Sequence, residues 1–423
     1  MSIIKNLPSL KTSDRRTVAL KILNAGLEAI QPNKVLAESL SVDGETLFIK
    51  SKKIHLNKFE RVFLIGFGKG SGGISLYLEK LLGEKLTQGF VIDTTPTKFK
   101  KVSFTLGTHP LPSKDNVDFT ERVLKEIKDL NSKDLVLIVV CGGGSALFEA
   151  PYKLNLPKLT ATFSKLLNSG ANITEMNIVR KHLSKVKGGG LAKHLYPAKI
   201  VNLIFSDVPG NDLSVIASGP TVRDRSTSKK ALSILNKYKI SASLVPDSAL
   251  TELPKDEKYF ENVLNIMILS NMTALTAMQE EAKNLGYKAA IFSDRIEGEA
   301  KKLGKKLIEQ TPPGKILLAG GETTIKVTGK GNGGRNQTLV LASLPLPDDT
   351  LILSFDSDGV DYYKFGGALG DKDTWEKSEK LKLDPQKFLD NDDSSAFFEK
   401  TGDGIFTEKL GSNVADLIMI LKI

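Results

Sequence analysis

One cysteine, Cys141, stands in 423 residues, so no internal disulfide and no cysteine-based metal site is available. The four histidines, His55, His109, His182 and His194, are too few and too scattered for a histidine-rich zinc centre. The longest apolar runs, such as Leu135–Cys141, are far too short to span a bilayer. The first residues, MSIIKNLPSLKTSDRRT, carry no apolar stretch followed by a small-residue cleavage site, so the expectation is a cytoplasmic protein. The 36 glycines and 17 prolines have no fixed period, which excludes a collagen-like chain, and 40% hydrophobic with 26% charged residues is an ordinary globular composition.

The net charge of +10 invites a nucleic-acid reading. The basic residues are nevertheless spread along the chain and interleaved with acids, as in KDEK at 255–258, and no RNP-type or finger motif accompanies them. A solvated basic surface that tolerates small anions is the simpler expectation, with no nucleic-acid and no membrane partner. A homo-oligomer is compatible with such a surface.

Short apolar runs, each followed by a turn and an amphipathic stretch, dominate what is present. Arg61–Gly66, Gly89–Asp93, Leu135–Val140 and Ile200–Phe205 read as parallel strands covered on both faces. Helical spacing marks Arg16–Ile30, Leu156–Leu167 and Ser184–Leu195. After Thr221 a polar segment suggests a hinge, and a second series follows at Val263–Leu269, Ala289–Ser293, Lys315–Ala319 and Thr350–Ser354. Val414–Ile420 reads as a strand or a short helix. The expected fold is α/β in two lobes, residues 1–225 with a doubly wound, Rossmann-like, mostly parallel sheet and a smaller α/β lobe over 226–423. In such folds ligands bind beyond the carboxyl ends of the strands.

Four glycine-rich turns are the chemical signals. Gly68-Lys69-Gly70-Ser71-Gly72-Gly73 satisfies G-x-G-x-x-G, and Asp93 ends the next strand, as in a dinucleotide fingerprint. Lys69 inside the turn suits phosphate handling instead, and the spacing is not that of a Walker loop. Gly142-Gly143-Gly144-Ser145 leaves a strand with amides able to approach an anion, while the absence of G-x-S-x-G argues against a serine nucleophile. Asp207, in SDVPGND, lies just beyond a strand's carboxyl end. Gly333-Gly334-Arg335-Asn336 places a guanidinium beside permissive glycines, where it can grip a carboxylate or phosphate.

Taken together, FGKG, GTHPLP, CGGGSAL, NIVRKHLSKVKGGGLA, SDVPGNDLSVIASGPTV, GGETTIKV, GGRNQ, SDGVD and GSNVADL resemble, in order, the glycerate 2-kinase family whose C-terminal domain is of MOFRL type. The resemblance runs from Gly66 to Leu417. It implies phosphorylation of D-glycerate by ATP with Mg²⁺, commonly at the 2-hydroxyl, in a site between two α/β domains. It carries over Lys69, Asp207 and Arg335. The chain departs from the family's pattern at Gly70, at Ser113-Lys114, in DGVDYYK and in TEKLGSNV.

On this reading Lys69 stabilises the transferring phosphoryl group with the amides of Gly70 and Ser71 nearby. Arg335 meets that group or the substrate carboxylate. Asp207 is the base that orients the hydroxyl or a Mg²⁺ ligand, with Glu322 and Asp358 as further metal candidates. Arg180, Lys181 and Lys187 form a basic group for glycerate or nucleotide phosphates. The rival expectation is an NAD(P)-dependent hydroxypyruvate reductase, and a non-enzymatic nucleotide-binding regulator is a third.

Overall fold

The computed structural model describes residues 2–423. The chain forms two compact units: one of residues 36–206 and 211–268, the other of the segment ending at Val35 together with 207–210 and 269–423.

In the first unit, β1 (Leu40–Asp43), β2 (Thr46–Ile49) and β3 (Lys52–His55) make a small antiparallel sheet. The main sheet contains β4 (Arg61–Phe67), β5 (Gln88–Asp93), β6 (Val102–Leu106), β7 (Asp134–Val140), β8 (Lys199–Phe205) and β9 (Val263–Leu269). Their order is β6-β5-β4-β7-β8-β9, and every pairing from β6 to β8 is parallel. Every residue of β7 is buried, as an uninterrupted apolar run covered on both faces requires. Counted along the sheet, this is the Rossmann order 3-2-1-4-5-6, with its reversal between β4 and β7. The glycine turns at Gly68 and Gly142 leave the carboxyl ends of those two strands.

The second unit has a mixed sheet of β10 (Lys288–Glu299), β11 (Lys315–Thr324), β12 (Thr350–Asp356), β13 (Gly367–Gly370), β14 (Gly404–Ile405) and β15 (Asp416–Lys422). The order is β10-β11-β15-β12-β13-β14; β10 and β11 are parallel, and the remaining pairings are antiparallel. The last apolar run is thus a strand, inserted between β11 and β12. Against this sheet packs helix Asn271–Asn284, and on it helix Asp14–Ala29, where a Cβ on Gly26 would stand 2.6 Å from Met278 Cγ. Arg16 anchors that helix: its fully buried guanidinium donates to Asp371 at 2.5 and 2.7 Å and to Asp403 at 2.6 Å.

This division differs from consecutive domains 1–225 and 226–423. The leading helix belongs with the C-terminal sheet because its buried arginine finds its carboxylates there. Residues 226–268 stay with the first unit because β9 completes its sheet beside β8. The expected helix 184–195 shortens to Gly190–Leu195, since Gly188 and Gly189 have φ of 55° and 88° and break the spacing.

Candidate active site

The turn after β4 is held tightly. Gly68 has φ 110°, and a Cβ there would lie 2.4 Å from the carbonyl oxygen of Cys141, so only glycine fits. Its amides are largely committed: Lys69 N–H donates to Gly142 O (2.8 Å) and Ser71 N–H to Gly68 O (3.1 Å). Gly70 and Gly72 N–H donate to the two Asp93 oxygens at 3.2 and 2.8 Å. Asp93, buried and also accepting from Thr94 N–H at 2.6 Å, therefore occupies the N-terminus of helix Ser71–Leu82, where a pyrophosphate would otherwise sit. The exposed Lys69 side chain is the part of this turn left for a ligand.

The turn after β7 is built differently. Gly143, at φ 74°, would bring a Cβ within 2.7 Å of the His109 ring. The amides of Gly143 and Ser145 find no acceptor among the described residues, while the Ser145 hydroxyl shares a 2.8 Å hydrogen bond with that of Ser218. Next to them lies a cavity of about 220 Å³ lined by His109, Gly143, Ser145, Glu149, Phe163 and Arg180 among others. The half-buried Arg180 guanidinium rests over the Phe163 ring, 5.1 Å from its centroid. It donates no hydrogen bond and joins no ion pair among the described residues. Burial lowers its pKa, opposed by the charge of Glu149. His109 is held below its usual pKa by burial and then by the Lys69 ammonium, so its ring is a neutral partner at neutral pH.

Lys187 stands behind this wall. It is 1% exposed and bonds Glu149 Oε2 at 2.6 Å and Phe148 O at 3.3 Å; burial drives its pKa down, opposed by Glu149. Lys181 is likewise engaged, with Asp224 at 2.6 Å.

In the second unit Arg335 opens helix Arg335–Leu341 at the edge of a cavity of about 510 Å³, lined also by Glu322, Gly333, Gly334, Asp356 and Asp361. Three carboxylates hold it: Asp416 at 2.9 Å, Glu322 at 2.7 Å and Asp356 at 3.1 Å. Burial works against its charge, yet Asp416, Glu322 and Asp356 together raise its pKa. Asp356 is pushed up to about 8 by burial and then by the charges of Asp416 and Asp358, against the pull of Arg335. Burial pushes Asp416 up to about 6, again against Arg335. Asn336 is fully buried, donating to Asp416 (2.8 Å) and accepting from Ser354 (2.5 Å). Asp361 accepts from the amides of Asn336 and Gln337, and a Cβ on Gly334 would strike it at 2.1 Å.

Of the residues expected from sequence, Gly143, Ser145 and Arg180 line one cavity, and Glu322, Gly333, Gly334 and Arg335 line the other. Gly68, Gly70, Ser71, Gly142 and Gly144 shape the turns, Gly144 by packing on Phe67 and Ala217. Asp207 is half-buried two residues past β8 and is grouped with the second unit. Asp358 accepts from Val360 N–H at 2.9 Å and donates its own amide to Asp356 at 3.1 Å. Among the described residues no group of three or more His, Cys, Asp or Glu is arranged to hold a metal ion. His109 and Glu149 were not expected, although His109 sits in GTHPLP and Glu149 four residues past Ser145. Nor were Asp356, Asp361 and Asp416, two of which fall in the SDGVD and GSNVADL strings.

Residues 18–253 match a domain of unknown function, DUF4147, and residues 315–416 match the MOFRL family. The chain is 34% identical to the D-glycerate 2-kinase of Thermotoga maritima, over 96% of this chain and 97% of that one. It is 32% identical to the glycerate 2-kinase of Pyrococcus horikoshii, with 96% and 97% covered, and 32% identical to the glycerate kinase of Rattus norvegicus, with 95% and 92% covered. The crystal structure of Thermotoga maritima glycerate kinase superposes with a TM-score of 0.85 at 33% identity, covering 96% of this chain and 99% of that one. A Pyrococcus horikoshii structure gives 0.84 at 32%, with 97% and 99% covered.

Proposed function

The chain belongs to the glycerate kinase family, and from that premise we propose that it transfers the γ-phosphoryl group of ATP to D-glycerate, at the 2-hydroxyl, in the cytoplasm. The observation that carries this reading is the Arg180 guanidinium. It lines a cavity beside the Gly143 and Ser145 amides, at the switch point of the parallel sheet, and no hydrogen bond or ion pair among the described residues neutralises it. A small carboxylate fits that set of donors.

Phosphoryl transfer asks a protein chiefly for positioning and positive charge. Arg180 and the two amides hold the glycerate carboxylate. The exposed Lys69 ammonium meets the transferring phosphoryl group, as the hydroxyl oxygen bonds to phosphorus and the bond to ADP breaks. Asp207 accepts the hydroxyl proton. Arg335 acts on the phosphoryl donor. Mg²⁺ keeps several waters and takes one or two carboxylates along with phosphate oxygens, so a closed protein cage is not required. The hard oxygens of Glu322 and Asp358, beside an Asp356 whose ionisation is suppressed by burial and then by its neighbours, would suit such an ion; when bound it would neutralise phosphate charge.

Asp93 supports this reading over an NAD(P)-linked hydroxypyruvate reductase. The carboxylate that a ribose would need is buried and spent on the amides of its own fold. The test incubates the protein with ATP, Mg²⁺ and D-glycerate, follows ADP release, and assigns the product as 2- or 3-phosphate by ³¹P NMR. Oxidation of NADH with hydroxypyruvate, without ADP release from the first mixture, would overturn it.

A further inference from the structure

Glu149 is a buried carboxylate with half of its acceptor capacity unused. It is 1% exposed, and Oε2 takes the Lys187 ammonium at 2.6 Å. Oε1 is buried as well and accepts from no donor among the described residues. A buried acceptor left in this state costs free energy, so native proteins rarely keep one without a use. Glu149 lines the cavity that holds Arg180, His109 and Ser145.

A ligand in that cavity with its carboxylate on Arg180 meets only one side chain restricted to accepting, and that is Glu149. We propose that Glu149 Oε1 accepts a hydrogen bond from the hydroxyl of the substrate that does not react, the 3-hydroxyl of glycerate, and so selects dihydroxy acids over monohydroxy acids. The inference rests on the reading that this cavity takes the hydroxy acid. Glu149 suits a hydroxyl that stays a hydroxyl because its other oxygen is fixed on Lys187, which makes it a rigid acceptor rather than a proton carrier. A site built to bond a hydroxyl rejects the analogue lacking it more strongly than an apolar pocket rejects an extra group, since the buried partner is left unpaired.

D-lactate keeps the carboxylate and the 2-hydroxyl and lacks the 3-hydroxyl, which makes it the probe. Isothermal titration of the wild-type protein should show D-glycerate binding about 10- to 100-fold more tightly than D-lactate, the range of one hydrogen bond to a charged group. Glu149→Gln should narrow that gap by weakening D-glycerate alone, because the amide oxygen stays on Lys187 and the NH₂ can only donate to the hydroxyl oxygen, a neutral hydrogen bond in place of a charge-assisted one. Equal affinity for the two acids in the wild type, binding of neither, or a variant that weakens both alike would overturn the proposal. If Glu149→Gln does not fold, the double variant E149M/K187M removes both charges together, a change that buried pairs often tolerate. ADP release is measured separately: discrimination in binding without ADP release would refute the kinase reading and leave this contact standing.

Discussion

Replacing Arg180 by methionine separates recognition of the acid from every other function of the protein. The methionine keeps an apolar stem against Phe163 and removes the guanidinium. Among the described residues no hydrogen bond or ion pair depends on that group, so the structural loss is the cation–π contact, about 0.5–1 kcal/mol. Loss of Arg180 also removes a charge that Lys187 is buried beside, which works in the other direction. The melting temperature should therefore move little. Binding should suffer far more: a charge-assisted hydrogen bond contributes about 1.5–3 kcal/mol, and a fork on a carboxylate makes two that are not fully additive. Taking about 3 kcal/mol, the KM for D-glycerate rises roughly 150-fold, while the KM for ATP is unchanged. Lysine at this position should recover part of the loss, since it restores the charge without the planar fork. Steady-state kinetics with each substrate varied in turn, beside a melting curve, supply the numbers. A folded Arg180→Met protein with a D-glycerate KM within threefold of wild type would refute the reasoning.

Lys69→Met should lower kcat by roughly 10²–10³ with glycerate binding preserved, the cost of one charge-stabilising contact in the transition state; an unchanged kcat in the folded variant removes Lys69 from the reaction. Arg16→Met leaves Asp371 buried without its cation and leaves Asp403 with Lys377 alone, so about 3–5 kcal/mol of stability should disappear, seen as a melting temperature lower by roughly 6–20 °C. Asp356 has a folded pKa of about 8 against an unfolded value near 4, so the native state holds an extra proton between those limits. Its stabilising contribution is present below pH 4 and is lost as pH rises through 8; Asp356→Asn should flatten the decline in melting temperature from pH 5 to 9, and an equally steep curve would count against the assignment. Asp93→Asn turns an amide NH₂ toward one of the two N–H groups that the carboxylate accepts from, which should cost about 1–3 kcal/mol, with NADH producing no thermal shift in either protein; NADH stabilising the wild type alone would return Asp93 to cofactor binding.

The parallel sheet was legible because strands covered on both faces leave uninterrupted apolar runs, as in β4, β7 and β8. Its last strand was misassigned because pairing of β9 with β8 is a long-range event that no local pattern marks. Likewise nothing near Arg16 shows that its partners lie 355 and 387 residues away. The glycine turns were visible for the opposite reason, since left-handed backbone and close approach demand glycine locally, as at Gly68 and Gly143. What glycine cannot reveal is which amides remain available. The Lys69 turn looked like a phosphate cradle, yet its amides serve Asp93, Gly68 and Gly142. Arg180 and Lys187 formed one basic group in sequence; the helix Ile173–His182 puts the first on a cavity wall, and the turn after it buries the second against Glu149.

Arg180 and Arg335 are in opposite electrostatic states, and the difference supports the separate tasks proposed for them. Arg335 is surrounded by Asp416, Glu322 and Asp356, so an approaching anion meets a cluster with more negative than positive charge. Burial raises the pKa of both Asp356 and Asp416, and for Asp356 the charges of Asp416 and Asp358 add to it. Such a cluster does not attract a bare carboxylate; it orients the guanidinium with great rigidity and gains from any added cation that arrives with the ligand. Arg180, without a hydrogen-bond or ion-pair partner among the described residues, is better suited to receive a small carboxylate in the ground state. Arg335 is better suited to a phosphoryl donor that carries its own divalent ion, where rigid placement of charge matters more than attraction in the ground state. On the function proposed above, the carboxylates around each guanidinium thus fit Arg180 to the hydroxy acid and Arg335 to the phosphoryl donor.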